Sequence, residues 1–214
     1  MKKENITKII SLFFNLFVSV SGIVILLYIL IYGYGTPLIY GSLHYEYLEY
    51  FTVLSNVYAA VIAGIVFVYL ILNFKKNDFI LPKWLSLLHL SSATSLALTA
   101  LTVICFLGPT QGFTIMYKED MFFYHLFNPI LTVTSFILVK HPKYRYLYAL
   151  FGVVPMLVYG AFYSSFVLSN VWKDFYGFTF GGNWWAIFIA LPIMICVTYL
   201  ISFVLVFVTT RRQK

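Results

Sequence analysis

The chain alternates long apolar runs with short polar breaks. Six runs are each close to the roughly 20 residues that an α-helix needs to cross about 30 Å of hydrocarbon. Clusters of glycine, proline and lysine separate them. The predicted spans are residues 9–33, 48–73, 84–107, 121–140, 146–168 and 185–209. Because the connections are short, the pattern predicts one all-α domain over residues 1–214, a bundle of six transmembrane helices.

Span two carries a stripe of small and polar residues on one helical face. The positions recur at intervals of three and four residues, which places them on the same side of a helix. They are Thr52, Ser55, Asn56, Ala59, Ala60, Ala63 and Gly64. Small residues mark packed faces in membranes, and unpaired polar groups are costly in lipid. We therefore expect Thr52, Ser55 and Asn56 to point into the bundle.

Span four repeats this pattern. His125, Asn128, Thr132 and Ser135 fall on one helical line among Phe, Leu, Ile and Val. Pro129 lacks the N–H that would pair with the carbonyl of His125, four residues earlier. We therefore expect a free acceptor and a small kink beside the histidine.

Thr52 and His125 are predicted to lie at a similar depth. Each is about four residues, roughly 6 Å, inside the predicted outer end of its span. If spans two and four are neighbours, the hydroxyl and the imidazole meet at one level. A neutral imidazole can take the proton of a hydroxyl that attacks an acyl group. Fixed donors must then hold the oxyanion, and Asn56 and Asn128, one turn further along each helix, are candidates.

The composition excludes a soluble globular protein. The 214 residues are 62% hydrophobic and 10% charged, whereas about a quarter of a soluble domain is charged. Of the 14 basic residues, twelve fall on one predicted side of the membrane, and five of the seven acidic residues fall on the other. The positive-inside rule therefore predicts a multi-pass protein of the cell membrane with both termini cytoplasmic. Membrane lipids explain the net charge of +7 without a nucleic acid partner.

Each of these side chains could also have a purely structural role, with no part in catalysis. Ser, Thr, Asn and His inside bundles often only link helices, at about 0.6 kcal/mol each. His44 and His141 fall in predicted loops, and Ser86 or Ser92 can satisfy His89. The outer aromatic residues form either an interfacial belt or the frame of a lipid-binding cleft. Without a Gly-rich phosphate loop or a carboxylate–histidine cluster, we expect no cofactor and no metal.

Two short motifs resemble a known family. Span two begins with an aromatic-Phe-Thr-x-x-Ser-Asn pattern around Thr52, and span four has a His-Leu-x-x-Pro pattern from His125. With six spans, these are similar to the androgen-induced-gene family of intramembrane threonine hydrolases, which cleave fatty acid esters of hydroxy fatty acids. The resemblance implies Thr52 as nucleophile and His125 as base and then acid. The chain departs from the animal enzymes by its Ser55-Asn56 pair and by lacking a second histidine soon after His125, so bacterial and fungal relatives look closer.

The sequence thus predicts a hydrolase of lipid-like esters near the outer leaflet, with Thr52, His125, Asn56 and Asn128 as its catalytic residues. Whether the chain is an enzyme stays open. A second interpretation is a transporter or channel-like protein whose polar stripes line a path for a small solute. No acidic residue lies deep in a predicted span to couple such transport to an ion. A third interpretation is a non-catalytic lipid-binding protein.

Overall fold

The computed structural model describes residues 3–33, 43–76 and 79–212. These residues form helices and connecting loops, with no β-strand among them. Six helices among them are long and apolar enough to cross a membrane, which confirms the predicted number of spans and supports a multi-pass membrane protein. They are α1 (Lys3–Tyr32), α2 (Phe51–Leu72), α3 (Lys83–Gln111), α4 (Asp120–Leu138), α5 (Tyr146–Leu168) and α6 (Trp184–Arg212). The connections contain a 3₁₀ turn, Tyr45–Glu49, and a short helix, Phe113–Met116.

Helices α3 and α4 each contain one wide, π-helical turn next to a proline. In α3 the turn Val103–Leu107 precedes Pro109, and in α4 the turn Phe123–Phe127 precedes Pro129. Proline has no N–H for the carbonyl four residues earlier, and a π turn lets a helix pass that gap. The irregularity expected beside His125 therefore takes the form of a π turn.

Span three, which the sequence places near residues 84–107, extends a few residues further in the structure. Helix α3 continues through Pro109 to Gln111 and stops at Gly112, whose φ of +100° is a conformation that favours glycine. Pro109 lies in the first turn of the segment Gly108–Gln111, where a missing N–H is tolerated.

Hydrogen bonds tie together the loops at one end of the bundle. Lys8 Nζ donates to the carbonyl of Lys76 at 2.5 Å, and the N–H of Leu81 donates to the carbonyl of Lys140 at 3.0 Å. The guanidinium of Arg212 donates to a carbonyl near the end of α4. This end, which we call the basic end, gathers the start of α1, the α2–α3 and α4–α5 connections and the end of α6.

The stripe on α2 packs against α1. Ala60 has no exposed surface, and Ser55 and Asn56 are buried, as predicted. Gly22 of α1 lies so close that a Cβ there would be 2.6 Å from the Cβ of Ala60. Thr52, at the start of α2, is only half-buried because it borders a cavity. Small residues therefore set the close approach of these two helices.

Helix α3 is central and packs against α2, α4, α5 and α6. Its hydroxyl groups link it to α2: Ser55 and Thr99 are 3.1 Å apart, and the Tyr58 and Ser91 hydroxyls are 2.6 Å apart. Ser55 belongs to the predicted stripe of span two, and in the structure its hydroxyl bonds across the α2–α3 interface.

Candidate active site

A cavity of about 360 Å³ lies at the end of the bundle opposite the basic end, which we call the cavity end. Its walls come from the end of α1, the start of α2, the end of α3, the start of α4 and the loop 169–183 between α5 and α6. Thr52 and His125 both line this cavity, which we call the main cavity. Its volume is in the range of about 300–1,000 Å³ that is typical of small-molecule sites. The structure therefore brings the predicted hydroxyl and imidazole to one cavity.

His125 is held in one orientation by the backbone. Its side chain is buried, and its Nδ1 lies 2.6 Å from the carbonyl oxygen of Met116. A carbonyl only accepts, so Nδ1 carries the proton and donates it, which leaves Nε2 of the neutral ring with a free lone pair. Nε2 has no hydrogen-bond partner in the described part of the chain. A general base needs such a nitrogen.

Thr52 is the second residue of α2. Its backbone carbonyl accepts hydrogen bonds from Ser55 Oγ at 3.1 Å and from Asn56 Nδ2 at 2.8 Å. These contacts occupy the carbonyl and leave the side-chain hydroxyl to the cavity wall. On that wall the hydroxyl lies beside the hydroxyl of Tyr176, which belongs to the loop 169–183.

Tyr176 caps the helix that carries Thr52. The N–H of Phe51 donates to the Tyr176 hydroxyl at 3.0 Å, and Tyr159 beside it donates to the carbonyl of Glu49 at 2.8 Å. Burial raises the pKa of Tyr176 to about 12, although hydrogen bonds with Phe51, Tyr159 and Thr52 lower it. The phenol is therefore protonated at neutral pH. Residue 50, at the helix N-terminus, makes no side-chain cap, so Tyr176 satisfies an otherwise orphan N–H.

Asp174 fastens the loop that presents Tyr176. Its carboxylate accepts hydrogen bonds from the Tyr163 hydroxyl at 2.5 Å, the Thr179 hydroxyl at 2.5 Å, the Thr179 N–H at 2.7 Å and the Phe178 N–H at 2.9 Å. Burial alone would raise the pKa of Asp174, but these hydrogen bonds together lower it. An ionised carboxylate therefore anchors the loop to α5.

Sequence reasoning missed Tyr176 as a neighbour of Thr52. The two residues are more than 120 positions apart, and Tyr176 follows no apolar period. A weak signal was present: Asp174 followed by Thr179 and the pair Gly181-Gly182 is typical of a tight, side-chain-anchored loop.

Asn56 and Asn128 do not line either described cavity. Asn56 Nδ2 donates to the carbonyls of Thr52 at 2.8 Å and Tyr124 at 3.1 Å, so both of its N–H groups are used. Asn128 Nδ2 donates to Asn56 Oδ1 at 3.1 Å, and Ser21 Oγ donates to Asn128 Oδ1 at 2.8 Å. The expectation that one of these amides holds an oxyanion stays a prediction, and these hydrogen bonds do not favour it. Together they link α1, α2 and α4, since both side chains are buried.

A second, smaller cavity of about 30 Å³ also touches Thr52. Thr52, Leu107 and Tyr176 line both cavities, whereas His125 lines only the main one. The other residues of the small cavity are mostly apolar and come from the start of α2, from α3, α5 and α6 and from the loop 169–183. They are Phe51, Leu98, Thr99, Thr102, Val103, Met156, Tyr159, Phe178 and Met194.

The histidines at the basic end are both buried. His141 lies in the loop between α4 and α5, as predicted, and is 2% exposed, with Nδ1 at 2.7 Å from Ser86 Oγ and Nε2 at 2.7 Å from the Phe136 carbonyl. Ser86 therefore contacts His141 instead of His89. Ser92 bonds the carbonyl of His89, and neither ring nitrogen of His89 has a partner among the described residues.

The outer aromatic residues divide between the two interpretations. Tyr47 and Tyr50 line the main cavity, and the Tyr50 ring lies 4.4 Å from that of Phe175, another lining residue. Trp184 and Trp185 are exposed at the start of α6, as an interfacial belt requires.

In the part of the chain that the structure describes, no three His, Cys, Asp or Glu side chains lie together as metal ligands. Comparison with known proteins found no matching family model, no matching curated protein and no matching solved structure.

Proposed function

We propose that this chain is an intramembrane hydrolase that cleaves lipid-like esters, with Thr52 as nucleophile and His125 as general base. The observation that carries the proposal is that both side chains line one cavity while Nε2 of His125 keeps a free lone pair. A threonine hydroxyl is a weak nucleophile and needs a base of this kind. The resemblance of the two motifs to the androgen-induced-gene family supports the same pair.

The reaction proceeds in two halves. Thr52 Oγ attacks the ester carbonyl and forms a C–O bond while its proton passes to His125 Nε2. The tetrahedral intermediate then breaks the bond to the alcohol oxygen, which takes the proton from His125 as it leaves. Water attacks the acyl-threonine with His125 as base, which releases the carboxylic acid and restores the Thr52 hydroxyl.

Tyr176 is the donor best placed to hold the oxyanion. Its hydroxyl lies beside that of Thr52, and its raised pKa keeps the proton on the phenol at neutral pH. A fixed donor that meets developing negative charge is often the largest single contribution to acyl transfer. This assignment replaces Asn56 and Asn128, whose hydrogen bonds link helices.

The substrate enters from the membrane–water interface. The main cavity lies where helices meet their connecting loops, so water for the second half of the reaction reaches the site while an apolar chain stays in lipid. In the orientation that the positive-inside rule predicts, this end faces the outside of the cell membrane and both termini are cytoplasmic.

The test is turnover of a panel of p-nitrophenyl and lipid esters by purified protein and by Thr52→Ala and His125→Ala. We expect both variants to lose activity while the apparent melting temperature stays within a few degrees. Thr132→Ala is the matched control, because it removes a hydroxyl from the same polar line of α4 at a position that borders neither described cavity.

Two results would contradict the hydrolase. Equal turnover in Thr52→Ala and the parent protein would exclude Thr52 as nucleophile. Solute flux in proteoliposomes without ester turnover would instead support the transporter, whose candidate path is the same set of polar stripes.

A further inference from the structure

We propose that the site prefers esters of a short acyl group, such as acetyl, with a long lipid-like alcohol. This inference rests on the proposed function, because it assigns the two halves of the substrate to the two cavities that meet at Thr52. It departs from what the family resemblance implies, which is a long fatty acyl group.

The position of His125 decides which half goes where. When Thr52 attacks a carbonyl, the acyl group and the leaving alcohol extend in different directions from the reacting carbon. The leaving oxygen must take its proton from His125, so the alcohol must lie where the imidazole can reach it. His125 lines the main cavity and not the small one. The alcohol therefore occupies the main cavity, and the acyl group occupies the small one.

The sizes of the cavities then set the substrate class. The main cavity measures about 360 Å³ and the small one about 30 Å³. The main cavity is therefore about twelve times larger, so the long half of the substrate fits there and the small cavity suits only a short group. Leu98 and Met156 are buried in its wall, and Tyr159 packs with them in the same apolar cluster. A longer acyl group would have to displace these side chains from a packed interior, which is costly.

The lining also suits an apolar acyl group. Leu98, Val103, Met156 and Met194 supply hydrocarbon and thioether surface. Tyr176 stands at the boundary of both cavities, next to Thr52, where the carbonyl oxygen of such a substrate would lie. One donor, one nucleophile and two unequal cavities therefore define a single substrate orientation.

The experiment compares two isomeric esters, octyl acetate and ethyl octanoate, which have the same atoms and carry the long chain on opposite sides of the ester. We expect kcat/KM for octyl acetate to be at least about tenfold higher, which corresponds to about 1.4 kcal/mol. Thr52→Ala must abolish the turnover of both substrates, so that the measured reaction is the one at this site.

Enlarging the small cavity should reduce this preference. Leu98→Ala and Met194→Ala are expected to raise kcat/KM for ethyl octanoate by about tenfold relative to octyl acetate. Met194 is only partly buried, so its variant should fold even if Leu98→Ala does not. Leu101→Ala is the matched control: it lies one turn away on α3, is 39% exposed and lines neither cavity, so the ratio should stay within twofold.

The outcomes separate the two proposals. Thr52-dependent turnover with equal or better use of ethyl octanoate would overturn the acyl assignment and leave the hydrolase intact. An unchanged ratio in both Leu98→Ala and Met194→Ala would also overturn it. If neither ester is cleaved at Thr52, the proposed function fails and this inference fails with it.

Discussion

The bundle contains two regions of buried histidine, one at each end, and they differ in what the ring nitrogens meet. At the cavity end, His125 has Nδ1 bound to a backbone carbonyl, while Nε2 has no partner among the described residues and the side chain lines a cavity with Thr52. At the basic end, His89 and His141 pack with their ring centroids 5.8 Å apart. The Phe136 ring centroid lies 5.4 Å from that of His89 and 4.4 Å from that of His141, so the three rings form one cluster.

The difference shows that burial alone does not identify a working histidine. His141 uses both nitrogens to hold Ser86 and the Phe136 carbonyl together, which links α3 to the end of α4. His125 uses one nitrogen for support and presents the other lone pair beside a hydroxyl-lined cavity. An ionisable residue inside a membrane protein is a functional hypothesis by default. The partners of the ring nitrogens favour His125 as the functional residue, because both nitrogens of His141 are already hydrogen-bonded.

The largest expected effect separates His125 from His89. We expect His125→Ala to lower kcat at least about a thousandfold, as for loss of a catalytic base. His89→Leu should change kcat by less than twofold, because the residue lies outside both described cavities. Steady-state kinetics on one substrate measure both variants. A similar loss of kcat in His125→Ala and His89→Leu would contradict the proposed difference between the two ends of the bundle.

Acid should destabilise the protein through the basic end. Burial lowers the pKa of His141 from 6.5 to about 4, although the bond to the Phe136 carbonyl raises it. Between pH 6.5 and pH 4, His141 therefore binds a proton in the unfolded chain but stays neutral in the folded chain. The stabilisation is fully present above pH 6.5 and is lost as the pH falls to 4, by about 3 kcal/mol in the free energy of unfolding. The titratable neighbours are His89 and Tyr144, and burial raises the pKa of Tyr144 so that it stays neutral.

Unfolding in mixed micelles between pH 7.5 and 4 measures this dependence. His141→Gln should be less stable at pH 7.5 and should give a flatter curve. A parent protein whose stability is constant over this range would show that His141 is not held neutral.

Tyr176 should matter for rate more than its neighbour Tyr159. We expect Tyr176→Phe to lower kcat by about a hundredfold with little change in KM, because a donor to the oxyanion acts only in the transition state. Tyr159→Phe removes hydrogen bonds to the Glu49 carbonyl and to the Tyr176 hydroxyl but keeps the Tyr176 hydroxyl beside Thr52, so its effect on kcat should be below tenfold. A purely structural Tyr176 would instead lower the melting temperature in both variants and change kcat equally.

The smallest expected effect concerns the amide pair. Asn128→Ala leaves a buried acceptor of Asn56 without its donor, which should cost about 1–3 kcal/mol of unfolding free energy. Turnover per folded molecule should stay within about threefold. A loss comparable to that of His125→Ala at unchanged stability would restore the amide as a catalytic group.

The helical spans could be predicted because hydrocarbon leaves few alternatives. A run of about 20 apolar residues must form a helix, and the stripe from Ser55 to Gly64 must pack against a neighbour. Pro109 made the predicted helix end too early. A single proline does not stop a helix when the turn before it widens into a π turn, as it does in α3.

The site was predictable only in part. Thr52 and His125 stood out because each lies on a polar line near the same end of its helix. The Tyr176 contact could not be predicted, since a loop fastened by Asp174 brings it there and loop geometry has no sequence period. The roles of Asn56 and Asn128 depended on which partners their amides found, and only coordinates give that.

The most direct measurement is to locate, by mass spectrometry, the residue that a fluorophosphonate modifies in the purified protein. The account predicts a phosphonyl group on Thr52 in the parent protein and in His89→Leu, and none in His125→Ala. Modification of any other residue, or equal modification of Thr52 without His125, would contradict the claim that this hydroxyl and this imidazole act as a pair.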